Sequence, residues 1–110
     1  GMTEVDETTA IVRRLLIHSA GNFLSSSEVA EKLNITERTL RRRLTADGTN
    51  FRTIFEDIKN TLARNYLRKT SLNVLEIADL LNYEEATNFH RAFQRWNSTT
   101  PADYRHQASL

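Results

Sequence analysis

The sequence contains no cysteine, and its 110 residues include only one proline and three glycines. Without cysteine the chain can form no disulfide framework, thiolate metal site or thiol nucleophile, and a reducing, cytoplasmic setting is expected. No apolar run approaches the roughly 18 residues of a membrane-spanning helix, and no signal peptide is visible. Because helix breakers and β-branched runs are scarce, the sequence predicts an all-helical protein.

The usual features of an enzyme active site are also missing from the sequence. There is no glycine-rich phosphate-binding loop and no His-x-x-x-His pair. His18, His90 and His106 are scattered over predicted helices without a nucleophile partner. We therefore predict that the protein is not an enzyme and that it has no catalytic residue, cofactor or metal. His90 is interpreted as a phosphate or base contact.

The charged residues are unevenly distributed, although the net charge is only +1. Six of the fourteen acidic residues lie in the first third of the chain. By contrast, Arg38, Arg41, Arg42 and Arg43 fall within six residues that contain no acid. A basic cluster of this kind indicates either a solvated helix face or a contact with nucleic acid, and the spacing of the side chains has to decide between them.

The spacing of the apolar residues predicts about seven helices. The first covers about residues 8–18, and the last begins at Pro101 directly after an N-cap residue. Between them, a long amphipathic helix of roughly 30 Å covers about residues 50–69. The remaining short helices form two pairs, and each pair is joined by a turn that contains Asn34 or Asn82.

Capping and core residues follow from the same pattern. Ser26 or Ser27 is expected to cap the helix before the first turn, and Thr36 the helix after it. In the last helix of the second pair, Phe89 and Trp96 are expected to face the core. If Trp96 is a core residue, its replacement by alanine should cost about 3–5 kcal/mol of folding free energy.

The two pairs of short helices are copies of one another. An offset of 48 residues aligns Val29 with Ile77, and past the turn an offset of 49 residues aligns Arg42 with Arg91. Small residues at matched positions and a turn of three to four residues are typical of a helix-turn-helix unit. Two such units joined by one long helix form a much more specific pattern than one unit alone.

The second helix of each unit has one face that points away from the predicted core. At 100° per residue, these outward side chains are Arg38, Arg41, Arg42 and Thr45 in the first unit and Thr87, His90, Arg91 and Gln94 in the second. All eight can hydrogen-bond to base edges or phosphates, and none is acidic. Since a solvated face would include glutamate and lysine pairs, these faces indicate binding to nucleic acid.

The second copy, residues 74–105, also carries a distinctive motif. Its members are Ile77, Ala78, Phe89, Arg91, Phe93, Thr100, Pro101, Tyr104 and Arg105. This motif resembles the signature of AraC/XylS-type transcription regulators, and the resemblance extends over about residues 8–106. Two glycines of the family pattern correspond to Asn82 and Ser98. Asparagine can hold a left-handed turn, whereas the loop at Ser98 is expected to have a different shape.

The resemblance implies a DNA-binding domain built from two homeodomain-like three-helix subdomains. The predicted divisions are a disordered or tag-derived tail at 1–7, a first helix-turn-helix subdomain at 8–49, a connector helix at 50–70, a second helix-turn-helix subdomain at 71–106, and a tail at 107–110. The recognition helices, at about 36–47 and 84–96, are expected to enter successive major grooves, which recur every ~34 Å.

The predicted DNA contacts come from these two recognition helices. They are Thr36, Arg38, Thr39, Arg41, Arg42, Thr45, Thr87, Asn88, His90, Arg91, Gln94 and Arg95. The more basic first copy is expected to carry more of the base reading, because in the family the second unit often serves to hold phosphates or to contact the polymerase.

The resemblance also implies the biological partners. They are double-stranded promoter or operator DNA, RNA polymerase, and an effector-sensing or dimerisation domain in chain outside these residues. The expected function is activation of transcription in the bacterial cytoplasm, at the nucleoid. The alternative is a helical protein-interaction module that does not bind DNA.

Overall fold

In the computed structural model, residues 4–109 are described, and they form seven α-helices and no strand. The helices are α1 (Glu4–His18), α2 (Ser26–Lys32), α3 (Glu37–Ala46), α4 (Phe51–Lys69), α5 (Val74–Leu80), α6 (Ala86–Asn97) and α7 (Pro101–Ala108). The prediction of an all-α fold with about seven helices is therefore confirmed. None of these helices combines the length and the apolar character that a membrane span requires.

The predicted tails need correction where the structure describes them. The first helix begins at Glu4 rather than at residue 8, and the last extends to Ala108. Side chains before residue 7, residues 1–3 and residue 110 lie outside the described residues. The predicted tails at 1–7 and 107–110 thus include helical residues.

The chain divides into two compact units, Gly1–Ile58 and Lys59–Leu110. The boundary lies within α4, the predicted connector helix, so this helix contributes residues to both units. In the first unit, the ring of Phe55 contacts Phe23 at a centroid distance of 4.9 Å. In the second unit, Asn60 accepts a hydrogen bond of 2.8 Å from the side chain of Asn97.

The first unit is held together by an apolar core and by polar contacts from α1. Its buried apolar residues are Val12, Leu16, Phe23, Val29, Ala30, Leu40, Leu44, Ile54 and Ile58. The hydroxyl of Thr9 donates to the carboxylate of Asp47 at 2.6 Å, which connects α1 to the end of α3. Arg13 forms an ion pair of 2.7 Å with Asp57, which connects α1 to α4.

The N-cap of α2 is Ser25, and the prediction of Ser26 or Ser27 is wrong. The Ser25 hydroxyl accepts from the backbone N–H of Glu28 at 3.1 Å, and the Glu28 carboxylate accepts from the backbone N–H of Ser25 at 3.0 Å. This reciprocal pair is a capping box, and only Ser25 has a glutamate three residues later. The hydrogen bond from the Ser25 backbone lowers the pKa of Glu28.

Within residues 4–109, three residues other than glycine adopt the left-handed conformation, all at turns: Asn34 (φ 56°), Asn82 (φ 71°) and Ser98 (φ 58°). Asparagine tolerates this conformation because its short amide can hydrogen-bond locally. Ser98 is the C-cap of α6, and its N–H donates to the carbonyl of Gln94 at 2.8 Å. Ser98 thus takes the left-handed conformation that a glycine would take more readily.

Replacing Ser98 by glycine is expected to raise the free energy of unfolding by about 0.5–1 kcal/mol. Left-handed backbone costs an L-residue about 1–2 kcal/mol, and the greater freedom of glycine in the unfolded chain offsets about half of the gain. Urea denaturation followed by circular dichroism measures the change. Asn82→Gly is the matched comparison and should stabilise less. An unchanged or lower midpoint for Ser98→Gly would show that the conformation carries no strain.

The second unit has an aromatic core. The ring of Phe89 contacts Tyr83 and Phe93 at centroid distances of 5.7 and 6.0 Å, and Phe93 contacts Tyr104 at 5.5 Å. Trp96 is only half-buried, so its prediction as a core residue is wrong. It lies in the last turn of α6, where the helix leaves the core, and the buried positions before it are taken by smaller Ala92 and by the phenylalanines.

Arg105 joins α7 to the C-terminal end of α4. Its guanidinium donates to the backbone carbonyls of Leu67 (3.0 Å), Tyr66 (3.3 Å) and Thr70 (3.2 Å). The last carbonyls of a helix have no partner within the helix and carry partial negative charge. A guanidinium at this position donates hydrogen bonds to these carbonyls and is attracted by their charge. The motif arginine at this position therefore stabilises the second unit.

Candidate nucleic-acid interface

Helix α3 is fixed at its start by a cap and along one side by the core. The Thr36 hydroxyl accepts from the backbone N–H of Thr39 at 3.0 Å, as predicted for this cap, and donates to the Thr39 hydroxyl at 3.1 Å. Leu40 and Leu44 are 2% and 1% exposed. Since these two leucines lie on one side of α3, the opposite side faces solvent.

The exposed side of α3 carries the outward residues that the sequence predicted, which we call the α3 face: Arg38, Arg41, Arg42 and Thr45. All four are exposed, and with Ala46 they line one shallow depression. None of them forms a hydrogen bond or an ion pair with a side chain that the structure describes. This distinguishes them from Arg13 and Arg105, which have partners within the fold. The α3 face is therefore available to an external partner.

Helix α6 begins two residues later than predicted. Its N-cap, Glu85, has an extended backbone and makes no side-chain capping bond, so the helix extends from Ala86 to Asn97 rather than over residues 84–96. Phe89 and Phe93 are fully buried and anchor its inner side. The two anchors are four residues apart, as Leu40 and Leu44 are on α3, so the predicted repeat has the same geometry in both units.

The outward residues of α6, which we call the α6 face, are Thr87, His90, Arg91 and Gln94. All four are exposed, and they line a second depression together with Val74 and Ala86. Like the α3 face, they have no hydrogen-bond or ion-pair partner among the side chains that the structure describes. The apolar neighbours Val74 and Ala86 were not among the predicted contacts.

The other predicted contacts lie at the edges of these faces. Thr36 is exposed and Thr39 is half-buried, and both hydroxyls are engaged in the cap of α3. Asn88 is exposed in the first turn of α6, and its backbone N–H donates to the backbone carbonyl of Glu85 at 3.1 Å. Arg95 is exposed but already interacts within the chain. The side chains of Thr36, Thr39 and Arg95 are therefore less free to bind a partner than the eight of the two faces.

Residues 4–109 offer little for another kind of site. Among the described side chains, those of residues 7–109, no group of three or more His, Cys, Asp or Glu is placed to hold a metal ion. The two faces contain five cationic or ionisable basic groups and no carboxylate, which is the arrangement that attracts phosphate anions.

Comparisons with known proteins agree with this geometry. A family described as "Helix-turn-helix domain" matches residues 29–107. The ornithine utilization regulator of Pseudomonas aeruginosa is 40% identical over 94 residues, which are 86% of this chain and 28% of that protein. The urease operon transcriptional activator of Escherichia coli is 32% identical over 81 residues, which are 74% of this chain and 27% of that protein. The chain thus spans little more than a quarter of the length of these relatives.

Solved structures show the same fold. The transcriptional regulator CdpR of P. aeruginosa has a TM-score of 0.82 and 36% identity over 90% of this chain and 31% of that chain. An AraC-type DNA-binding domain-containing regulator of Chromobacterium violaceum has a TM-score of 0.88 at 18% identity, covering 97% of this chain and 96% of the other. The DNA-binding domain of AdpA, solved with a target DNA, has a TM-score of 0.75 at 19% identity, covering 91% of each. The last two comparisons concern the fold alone.

Proposed function

Since this chain belongs to the AraC-type helix-turn-helix family and is a DNA-binding domain of a transcriptional regulator, we propose that it recognises promoter DNA through the α3 and α6 faces. The proposal rests on one observation: the α3 and α6 faces are both exposed, contain no acidic residue and lie on corresponding helices of the two units. Family membership favours this function over a protein-interaction module that does not bind DNA.

The faces suit insertion into a major groove. A groove of about 12 Å admits one α-helix, and its floor presents hydrogen-bond donors and acceptors that differ between base pairs. The buried leucines of α3 and the buried phenylalanines of α6 hold each helix against its own core. Each exposed face is therefore presented by a backbone that is already ordered, which lowers the entropic cost of binding.

We further propose that the two helices occupy successive major grooves of one duplex. Helix α4 has 19 residues, which at 1.5 Å per residue makes it about 28 Å long. Major grooves on one side of B-DNA recur every ~34 Å. The length of α4 is thus of the order that two linked recognition elements need.

The proposed role of the whole protein is activation of transcription. One relative is named as a transcriptional activator of the urease operon, which supports this role. Activation would bring the protein into contact with RNA polymerase at the bacterial nucleoid. Response to an effector and dimerisation are assigned to a further domain, in keeping with the greater length of the relatives.

Affinity for duplex DNA is expected to fall steeply as salt rises. Each phosphate contact releases a counterion, so two contacts weaken binding about tenfold and six about a thousandfold between ~50 and ~200 mM salt. Fluorescence anisotropy with a labelled duplex measures both affinities. A duplex selected for tight binding and a scrambled duplex of equal length should share the salt slope but differ in affinity. Absence of binding at the lower salt concentration would refute the proposed function.

A further inference from the structure

The α3 and α6 faces correspond position by position but differ in chemistry. The matched pairs, 49 residues apart, are Arg38 with Thr87, Arg41 with His90, Arg42 with Arg91, and Thr45 with Gln94. Only one pair, Arg42 and Arg91, has the same side chain. The two faces therefore share one identical position and differ at both ends.

Each face is long enough to read about three base pairs. Its first and last residues, for example Arg38 and Thr45, are seven positions apart, which is about 10.5 Å along a helix axis. Successive bases on one strand are about 3.4 Å apart. The first, middle and last positions of a face can thus address three different base pairs of one half-site.

The chemistry of each position specifies a base. Arginine matches the O6 and N7 acceptors of guanine, and glutamine matches the N6 donor and N7 acceptor of adenine. Methyl groups of threonine or alanine favour the thymine methyl. On the α6 face, Thr87 lies in one depression with Ala86 and Val74. The first position of the α6 face is therefore surrounded by apolar groups, whereas the first position of the α3 face carries the guanidinium of Arg38.

We infer that the domain reads two unlike half-sites that share a single guanine. This inference rests on the proposed function. Arg42 and Arg91 bind the shared guanine. The α3 half-site contains a second guanine opposite Arg38, and the α6 half-site contains an adenine opposite Gln94 and a thymine beside Thr87. Replacing the second guanine of the α3 half-site should reduce affinity about 5- to 150-fold.

The chain allows an exchange of faces that leaves the cores intact. The residues to be changed are exposed and have no partner among the described side chains. In one variant, Arg38→Thr, Arg41→His and Thr45→Gln convert the α3 face into a copy of the α6 face. In the reciprocal variant, Thr87→Arg, His90→Arg and Gln94→Thr convert the α6 face into a copy of the α3 face.

In vitro selection from a random duplex pool tests the inference. The unaltered protein should select a motif with two unlike halves and a guanine common to both. The first variant should select two halves that both contain the adenine, and the reciprocal variant two halves that both contain paired guanines. Thermal unfolding of each variant, followed by circular dichroism, should match that of the unaltered protein.

Different failures have different meanings. If the unaltered protein selects no sequence, the proposed function itself is refuted. If it selects a motif but both variants select the same motif, the faces do not specify the bases, and the inference is wrong while the function stands. The inference is also wrong if the α6 half of the motif shows no base preference.

Discussion

Replacing Phe89 with alanine is expected to lower the free energy of unfolding by about 3–5 kcal/mol. The side chain is fully buried, and its ring contacts Tyr83 on one side and Phe93 on the other. Truncation would remove the transfer free energy of the ring and both aromatic contacts, and it would leave a cavity that the surrounding helices can fill only in part. Urea denaturation followed by circular dichroism measures the loss.

Trp96→Ala is the matched control for this experiment. Both residues are aromatic and lie on α6, but Trp96 is half-buried in the last turn. Trp96→Ala should therefore lower the free energy of unfolding by only about 1–2 kcal/mol, because folding removes less of the apolar area of Trp96 from water. If Trp96→Ala destabilised the protein more than Phe89→Ala, the order of burial along α6 would have to be revised.

These two residues show how far sequence periodicity predicts the core. The spacing of Leu40 and Leu44, and of Phe89 and Phe93, correctly predicts the inner sides of α3 and α6. The same spacing places Trp96 inside, because periodicity continues to the end of a helix whereas the core does not. Where a helix leaves the core depends on the elements that pack beside it, and those are not visible in a local pattern.

Long-range polar contacts show a similar limit, whereas helix caps are set by local sequence. The cap at Thr36 follows from a short-range preference, and the spacing of Ser25 and Glu28 that defines the capping box of α2 is equally local, although the prediction of Ser26 or Ser27 overlooked it. The bonds from Arg105 to the end of α4 join residues more than 34 positions apart along the chain. No local signal in the sequence indicates such a contact, although the motif identified the residue.

The residues of the α3 and α6 faces could be predicted from the sequence more fully than the long-range contacts. Two buried anchors four residues apart define the outward direction of a helix, so the eight residues of the α3 and α6 faces could be chosen without coordinates. The sequence could not show whether these side chains are free. Arg13 and Arg42 look alike in the sequence, but only Arg13 is paired with a carboxylate, that of Asp57.

Replacing Arg42 with alanine is expected to weaken binding to the selected DNA by about 1–3 kcal/mol, which is about 5- to 150-fold in affinity, and to relax preference at one or two base pairs. The guanidinium is exposed and unpaired, so its loss should leave the fold intact. Bidentate donation to guanine in a groove is much stronger than a solvated charge near a phosphate. Anisotropy titrations with the selected and scrambled duplexes measure both effects.

Arg14→Ala serves as the control because it removes the same charge from an exposed position on α1. It should change affinity for either duplex by less than about threefold, as expected for a surface charge that makes no direct contact. If Arg42→Ala weakened binding to both duplexes equally, Arg42 would be a phosphate contact, since only a base contact separates the selected from the scrambled sequence. A loss confined to the selected duplex would instead make Arg42 a reader of sequence.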